Sequence, residues 1–291
     1  MNYQCMLILN IDCMKNRFFR WLDNSFRKID REHIRRTNNI QHIPDFDNRR
    51  GGKTSYAEWA HVIGIFQTLI YQTLEKKTGN NILDIGCGTG LLGMSSQPFI
   101  AEGGGYTGID VMIKDIEFCK EHYQAGYSFI HLNVSNPTYA KAQSAQLQPW
   151  PIADESQDLV TALSVWTHLN ETDAVFYFKE ISRVLKNDGK AIITFFLLND
   201  EYEESLKRRS NALGRFHSTN QQEWIFDVPA YSSENWYTTI HAKNPEDVIG
   251  VTSQGIEQLL KAAGLKIIRY YPGNWKEIPG VFFQDVLIIG K

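Results

Sequence analysis

The run Ile82-Leu83-Asp84-Ile85-Gly86-Cys87-Gly88-Thr89-Gly90 sets three glycines between an apolar stretch and the start of a helical pattern. Glycine there permits positive φ and lets a ligand lie against bare backbone. The helix opening at Leu91 adds amides with no partner inside the helix. Grouped glycines alone are weakly selective, because dinucleotide-binding turns use them too, as G-x-G-x-x-G. Here the spacing differs, and Asp84 stands two residues before the first glycine. Its carboxylate would repel a pyrophosphate and attract a ligand carrying an ammonium and a sulfonium. A second acid, Asp110, closes the run Gly108-Ile109-Asp110, 24 residues beyond Gly86. A carboxylate at that strand end can accept both hydrogen bonds of a ribose diol. Asn133-Val134 closes a third apolar run, where an amide can meet an adenine edge. Each group taken singly could merely close a turn. Three at successive strand ends point to one nucleoside-binding crevice.

A hydroxyl reacting in such a crevice needs a group to take its proton. His168, four residues past Ser164, follows the fourth apolar run, and an imidazole with an ordinary pKa of about 6.5 suits that task at neutral pH. The competing reading is a histidine packed at a helix start and bonded to backbone. His217 and His241, in a later polar stretch, are its rivals. Arg50, Lys53 and Tyr56 precede the core, where a basic group could pair with a ligand carboxylate or simply be solvated. Trp224, Phe226, Tyr231, Trp236 and Tyr237 could offer stacking faces to a second ligand, or form a small core of their own.

The elements that position these groups alternate in type. Strands are expected at Asn81–Gly86, Tyr106–Asp110, Ser128–Asn133, Leu159–Ser164 and Ala191–Leu198, with helices at Leu91–Ile100, Ile113–Gln124 and Asp173–Lys186. Near-continuous apolar strands separated by helices imply a parallel sheet covered on both faces. Ser55 and Glu58 form a capping box for a preceding helix with Trp59, Val62, Ile63, Phe66, Ile70 and Leu74 on one stripe. A helix from Ser253 to Gly264 and two strands, Leu265–Tyr271 and Phe282–Gly290, end the chain. The expected fold is α/β: a seven-stranded, mostly parallel, doubly wound sheet with a terminal antiparallel hairpin, N-terminal helices and a lid insertion. Residues 1–54 form an N-terminal tail, basic helix and loop, and residues 55–291 the main domain. The lid covers about residues 199–252, where polar and aromatic residues break the rhythm.

From Lys15 to Arg36, Phe18, Leu22, Phe26, Ile29 and His33 recur at helical spacing, among eight Lys/Arg and three acids. The leading expectation is a helix that covers the core with its apolar stripe. The other is peripheral contact with a membrane surface or an anionic partner. The first 13 residues read as a tail, or as leader before a start at Met14. No run of about 18 apolar residues is present, so no transmembrane helix is expected. A net charge of -3 gives no reason to expect a nucleic-acid partner. Four scattered cysteines make neither a metal-ligand pair nor a disulfide framework, which suits a cytoplasmic setting.

The Asp84–Gly90 turn resembles the first motif of class I S-adenosylmethionine-dependent methyltransferases. Asp158-Leu159-Val160 leading to Ser164-Val165-Trp166-Thr167-His168-Leu169 resembles that family's fourth-strand motif, and Arg183–Gly189 its turn before the fifth strand. The resemblance covers about Ser55 to Lys291 outside the insertion. It implies S-adenosyl-L-methionine as cofactor, faced by Gly86, Cys87, Gly88, Gly90 and Leu91 with Asp84 beneath. It further implies Asp110 and Val111 at the ribose, Asn133 and Val134 at adenine, Ser164 near the methionyl part, and Tyr56 in a segment folded over the cofactor. Asn133 departs from the family, where many members carry Asp; an amide can still donate and accept. No metal site is expected. Looser likeness to methyltransferases of glycans and secondary metabolites makes the expected reaction O-methylation of a small-molecule or sugar hydroxyl. The alternatives are an RNA methyltransferase using Lys15–Arg36, a cofactor-binding scaffold without catalysis and, more remotely, a nicotinamide oxidoreductase.

Overall fold

The computed structural model describes residues 3–134 and 147–291, with side chains from Met14 onward. The chain begins with helix α1 (Tyr3–His33) and helix α2 (Tyr56–Thr73), whose N-cap Ser55 accepts the Glu58 amide. The alternation then runs β1 (Asn81–Ile85), α3 (Leu91–Ile100), β2 (Gly105–Asp110), α4 (Ile113–His122), β3 (Tyr127–His131), β4 (Gln157–Ala162), α5 (Glu171–Val184) and β5 (Leu185–Phe195). The insertion holds β6 (Leu197–Leu198), α6 (Asp200–Leu206), β7 (Val228–Pro229), β8 (Trp236–Thr238) and β9 (Gly250–Thr252). Helix α7 (Ser253–Ala263), β10 (Lys266–Tyr271) and β11 (Asp285–Gly290) complete the chain.

Seven strands make one sheet in the order β3-β2-β1-β4-β5-β11-β10, parallel except for β11, which runs against both its neighbours. The expected α/β architecture is what forms. Strand alternation explains why both faces are covered, since neighbouring residues point to opposite sides. Ile82 joins one apolar cluster and Leu83 the other; Leu159 and Val160, Ile192 and Ile193, Ile288 and Ile289 divide in the same way. Helices α2 and α3 cover one face, α5 and α7 the other. The strand order reverses at β1, flanked by β2 on one side and β4 on the other, which opens a crevice at the strand ends.

Three expectations are corrected. Asn187-Asp188-Gly189 does not close a helix but lies within β5, because α5 ends at Val184 and the chain enters β5 at once. The insertion is not aperiodic: β6, β9, β8 and β7 form a small second sheet, and Trp236 is buried in the main core. Its short strands were hidden because each spans only two or three residues. Helix α1 also departs from the leading expectation. Phe18, Leu22 and Ile29 face solvent, Phe26 is over half exposed with its ring also against that of Tyr56, and the polar side of the helix packs on the domain. Met1 lies outside the described residues, and the helix from Tyr3 runs continuously through Met14, with no separate tail from Tyr3 onward.

Candidate active site

Register brings the ends of β1, β2 and β4 level, with Asp84 opposite Gly108 and Thr161, and Ile85 opposite Ile109 and Ala162. A cavity of about 1150 Å3 opens there. Gly86, Gly88, Asp110, Val111, Val134 and Ser164 all line it, as does His168. Gly86 has φ 66°, and a Cβ on it would stand 2.6 Å from Val165 Cγ2, so both conformation and space demand glycine.

The turn is already satisfied from within. The amides of Gly86 and Cys87 donate to the Ile109 carbonyl, that of Gly88 to Asp110 Oδ2 and that of Gly90 to the Cys87 carbonyl. A phosphate-binding turn aims such amides at its ligand. Here they knit β1 to β2, and the ligand meets a bare backbone surface, which suits a nucleoside lacking phosphates. Asp110 Oδ1 accepts the Met112 amide at 2.8 Å. A carboxylate has about four lone-pair sites, and those not taken by amides are left for a diol. Burial pushes its pKa up, opposed by the hydrogen bonds from Met112 and Gly88.

Asp84 lies beneath the turn rather than in the cavity wall. It is 1% exposed and accepts the hydroxyls of Tyr106 at 2.5 Å and Thr161 at 2.8 Å. Desolvation raises its pKa to about 7 against those two bonds. Its part is to tie three strands together beneath the glycines. Cys87, Gly90 and Leu91 also sit behind the wall: Cys87 packs on Gly108, and a Cβ on Gly90 would strike the Tyr123 hydroxyl. Residues 132–134 alternate inward and outward, which places Leu132 and Val134 in the wall and leaves Asn133 exposed beside it. Tyr56 is buried elsewhere, its hydroxyl on Asp30 and its amide on Asp23 of α1.

Ser164 is a non-glycine residue at φ 60°, in the cavity wall. Its amide donates to Thr194 Oγ1 and its hydroxyl to Gln284 Oε1, each at 2.8 Å. Such a conformation costs on the order of 1 kcal/mol and persists only where neighbours enforce it. Arg50 enters the wall held by Asp115, with Nε 2.9 Å from both carboxylate oxygens. Lys53 lines the same side and donates to the Gly51 carbonyl; burial lowers its pKa, with Glu58 opposing.

His168 Nδ1 lies 2.7 Å from the Glu246 carbonyl. A carbonyl can only accept, so Nδ1 carries the proton. Burial lowers the pKa of the ring, opposed by the Glu246 carbonyl and Asp247. His217 lines the cavity too, but Nε2 donates to Glu277 and Nδ1 pairs with Thr219 Oγ1. His241 is exposed and outside the wall. Of the aromatic residues singled out in the insertion, only Trp224 lines the cavity; Phe226 packs in a satellite core with Phe196 and Trp275. Trp150, Tyr177, Phe216, Phe282 and Phe283 are among the other aromatic residues of the wall. Phe282 and Phe283 belong to a run noted in the sequence, but the other three had no local signal that could mark them.

An open sheet with a glycine turn at its switch point and an acid at the next strand end defines a nucleoside-cofactor-binding domain. Residues 83–193 match the family model described as a methyltransferase domain. The likeness to a methyltransferase domain thus covers the stretch that carries the glycine turn, Asp110 and Ser164, and S-adenosylmethionine is the cofactor that this likeness implies. Among curated relatives, a sterol 4-C-methyltransferase of Caenorhabditis elegans is 24% identical over 73% of this chain and 65% of its own length. An O-methyltransferase of Pyrenophora dematioidea is 27% identical over 56% of this chain and 53% of its own. The chain therefore spans between about half and two thirds of these relatives. An S-adenosylmethionine-dependent methyltransferase from Mesorhizobium loti shares the fold, with a TM-score of 0.50 at 15% identity over 77% of this chain and 96% of that one. Among the described residues no group of His, Cys, Asp and Glu could hold a metal ion.

Proposed function

We propose that this protein transfers a methyl group to a hydroxyl of a small molecule, such as a sugar or secondary metabolite, held in the aromatic half of the cavity. The observation that carries this reading is one continuous cavity, with glycines and Asp110 at one end and aromatic side chains at the other, and His168 in its wall. Its volume, about 1150 Å3, suits a nucleoside and a second compact molecule together. A macromolecule would have to offer a single extended group.

When bound, S-adenosylmethionine supplies a methyl group already activated by its sulfonium. The remaining work falls to the chain. Asp110 holds the ribose diol, and Lys53 is placed to meet the methionyl carboxylate. Val134, in the wall, takes the adenine edge. The aromatic wall excludes water and aligns the acceptor, and alignment supplies much of the rate gain in such a displacement. His168 takes the acceptor hydroxyl's proton as the oxygen gains the methyl group.

The names of the two relatives include one carbon and one oxygen acceptor, and the apolar wall admits either. The test is incubation with S-adenosylmethionine and a panel of small hydroxylated acceptors, followed by mass spectrometry. O-methylated product with stoichiometric S-adenosylhomocysteine is expected. Turnover on RNA or peptide with none on the panel would overturn the small-molecule reading.

A further inference from the structure

We propose that helix α1 is a docking element for an anionic lipid surface, independent of which acceptor the cavity takes. Met14, Phe18, Trp21, Leu22, Phe26 and Ile29 are each between 43% and 69% exposed. At about 100° per residue they share one side of the helix. Monomeric proteins seldom leave so continuous an apolar stripe in water.

The outward aim of that stripe is enforced. Asp23, Arg27, Asp30 and Arg31 occupy the opposite side and are the groups that hold α1 to the domain. Asp23 takes Arg49 and the Tyr56 amide; Asp30 takes the Tyr56 hydroxyl. Arg27 pairs with Asp45, and Arg31 donates to the Ile43 carbonyl at 2.7 Å. Rolling the apolar stripe inward would strip these buried and half-buried charges of their partners, at a cost far above what a few half-exposed side chains recover.

Charge selects the occupant. Of the three acids between Lys15 and Arg36, two are turned inward and Glu32 alone is exposed, while Lys15, Arg17 and Lys28 stand exposed beside the stripe. A second copy of the chain would set two basic collars against each other. An anionic bilayer neutralises the collar and buries the aromatics in the headgroup boundary, the arrangement of interfacial helices. Among the described residues no helix is long and apolar enough to cross a membrane, so the contact is one of lying on the surface. The same anchors join α1 to Arg49, which directly precedes the cavity-lining segment Arg50–Lys53.

Flotation of the full chain with vesicles of phosphatidylcholine, with or without phosphatidylglycerol, tests this. Wild type is expected to float with the anionic vesicles and far less with the neutral ones. Phe18→Ser with Trp21→Ser should lower the partition coefficient by about tenfold or more. Lys15→Glu with Arg17→Glu and Lys28→Glu should remove the preference for anionic lipid. All these positions are exposed, so unchanged melting temperature and unchanged S-adenosylhomocysteine affinity are expected for each variant. Wild type remaining in solution with both vesicles would overturn the proposal. So would vesicle binding untouched by the aromatic substitutions, or a solution dimer dispersed by them without any lipid binding.

Discussion

The two ends of the cavity are built in different ways. The cofactor end uses the tips of adjacent strands β1, β2 and β4, so residues from Ile85 to Asp110 meet through one register of one sheet. Its polar groups are largely spent on each other, Asp84 on Tyr106 and Thr161, Asp110 on two amides. The rest of the wall gathers His61, Tyr177, Phe216 and Val281 from four distant parts of the chain, and His168 and His217 are set by Glu246 and Glu277 far along it. A surface made of backbone and register tolerates little change, whereas one made of side chains can be reshaped without disturbing the sheet.

Substitutions can break the contrast if their effects cross between the two ends. The largest effect is expected at His168. His168→Ala should lower kcat by about 100-fold or more, with S-adenosylhomocysteine affinity unchanged by calorimetry. Because burial depresses the ring pKa, the wild-type rate should stay level through neutral pH and fall only once the pH drops below the ordinary histidine value. A rate that fell above that value would contradict the assignment.

Next comes Asp110→Ala, which removes the ribose acceptor and orphans the Gly88 and Met112 amides. Cofactor affinity should fall by about 10- to 100-fold, and an unchanged dissociation constant would dissolve the cofactor end as drawn. Phe216→Ala should act on the other end alone. Half-exposed and in the wall, it should raise the acceptor KM severalfold, by roughly 1 kcal/mol, with no change in cofactor binding.

The smallest effect concerns stability. The buried Asp84 carboxyl has a pKa raised from 3.8 to about 7. A raised value favours the protonated form in the folded state, so its contribution is fully present below about pH 4 and is lost as pH climbs through 7. Thermal melts should therefore show wild type losing more stability between pH 5 and 8 than Asp84→Asn. Parallel curves would assign the ionised form to the folded state throughout.

Much of the fold was legible in the sequence because its signals are local. Apolar runs bounded by glycine mark strands buried on both faces, and the Asp84–Gly90 spacing marks the turn between β1 and α3. Asp110 was legible for the same reason, since a strand end follows from its own neighbours. The exact end of α5 was not, because the helix stops at Val184 and the ladder between β4 and β5 is interrupted between Leu185 and Lys190.

Patterning around Phe18–Ile29 determined that α1 is amphipathic, but the direction of its apolar stripe was decided by Arg27, Asp23 and Asp30 finding partners on the domain. Likewise, position after the fourth apolar run favoured His168, with His217 and His241 as rivals. Only the packed chain gave each its surroundings: His168 in the cavity wall with a carbonyl at Nδ1, His217 in the wall bonded to Glu277 and Thr219, and His241 outside the cavity. Sequence settles what local spacing and chemistry can express; burial, tautomer and partner depend on residues far away in the chain, and those only the tertiary structure brings together.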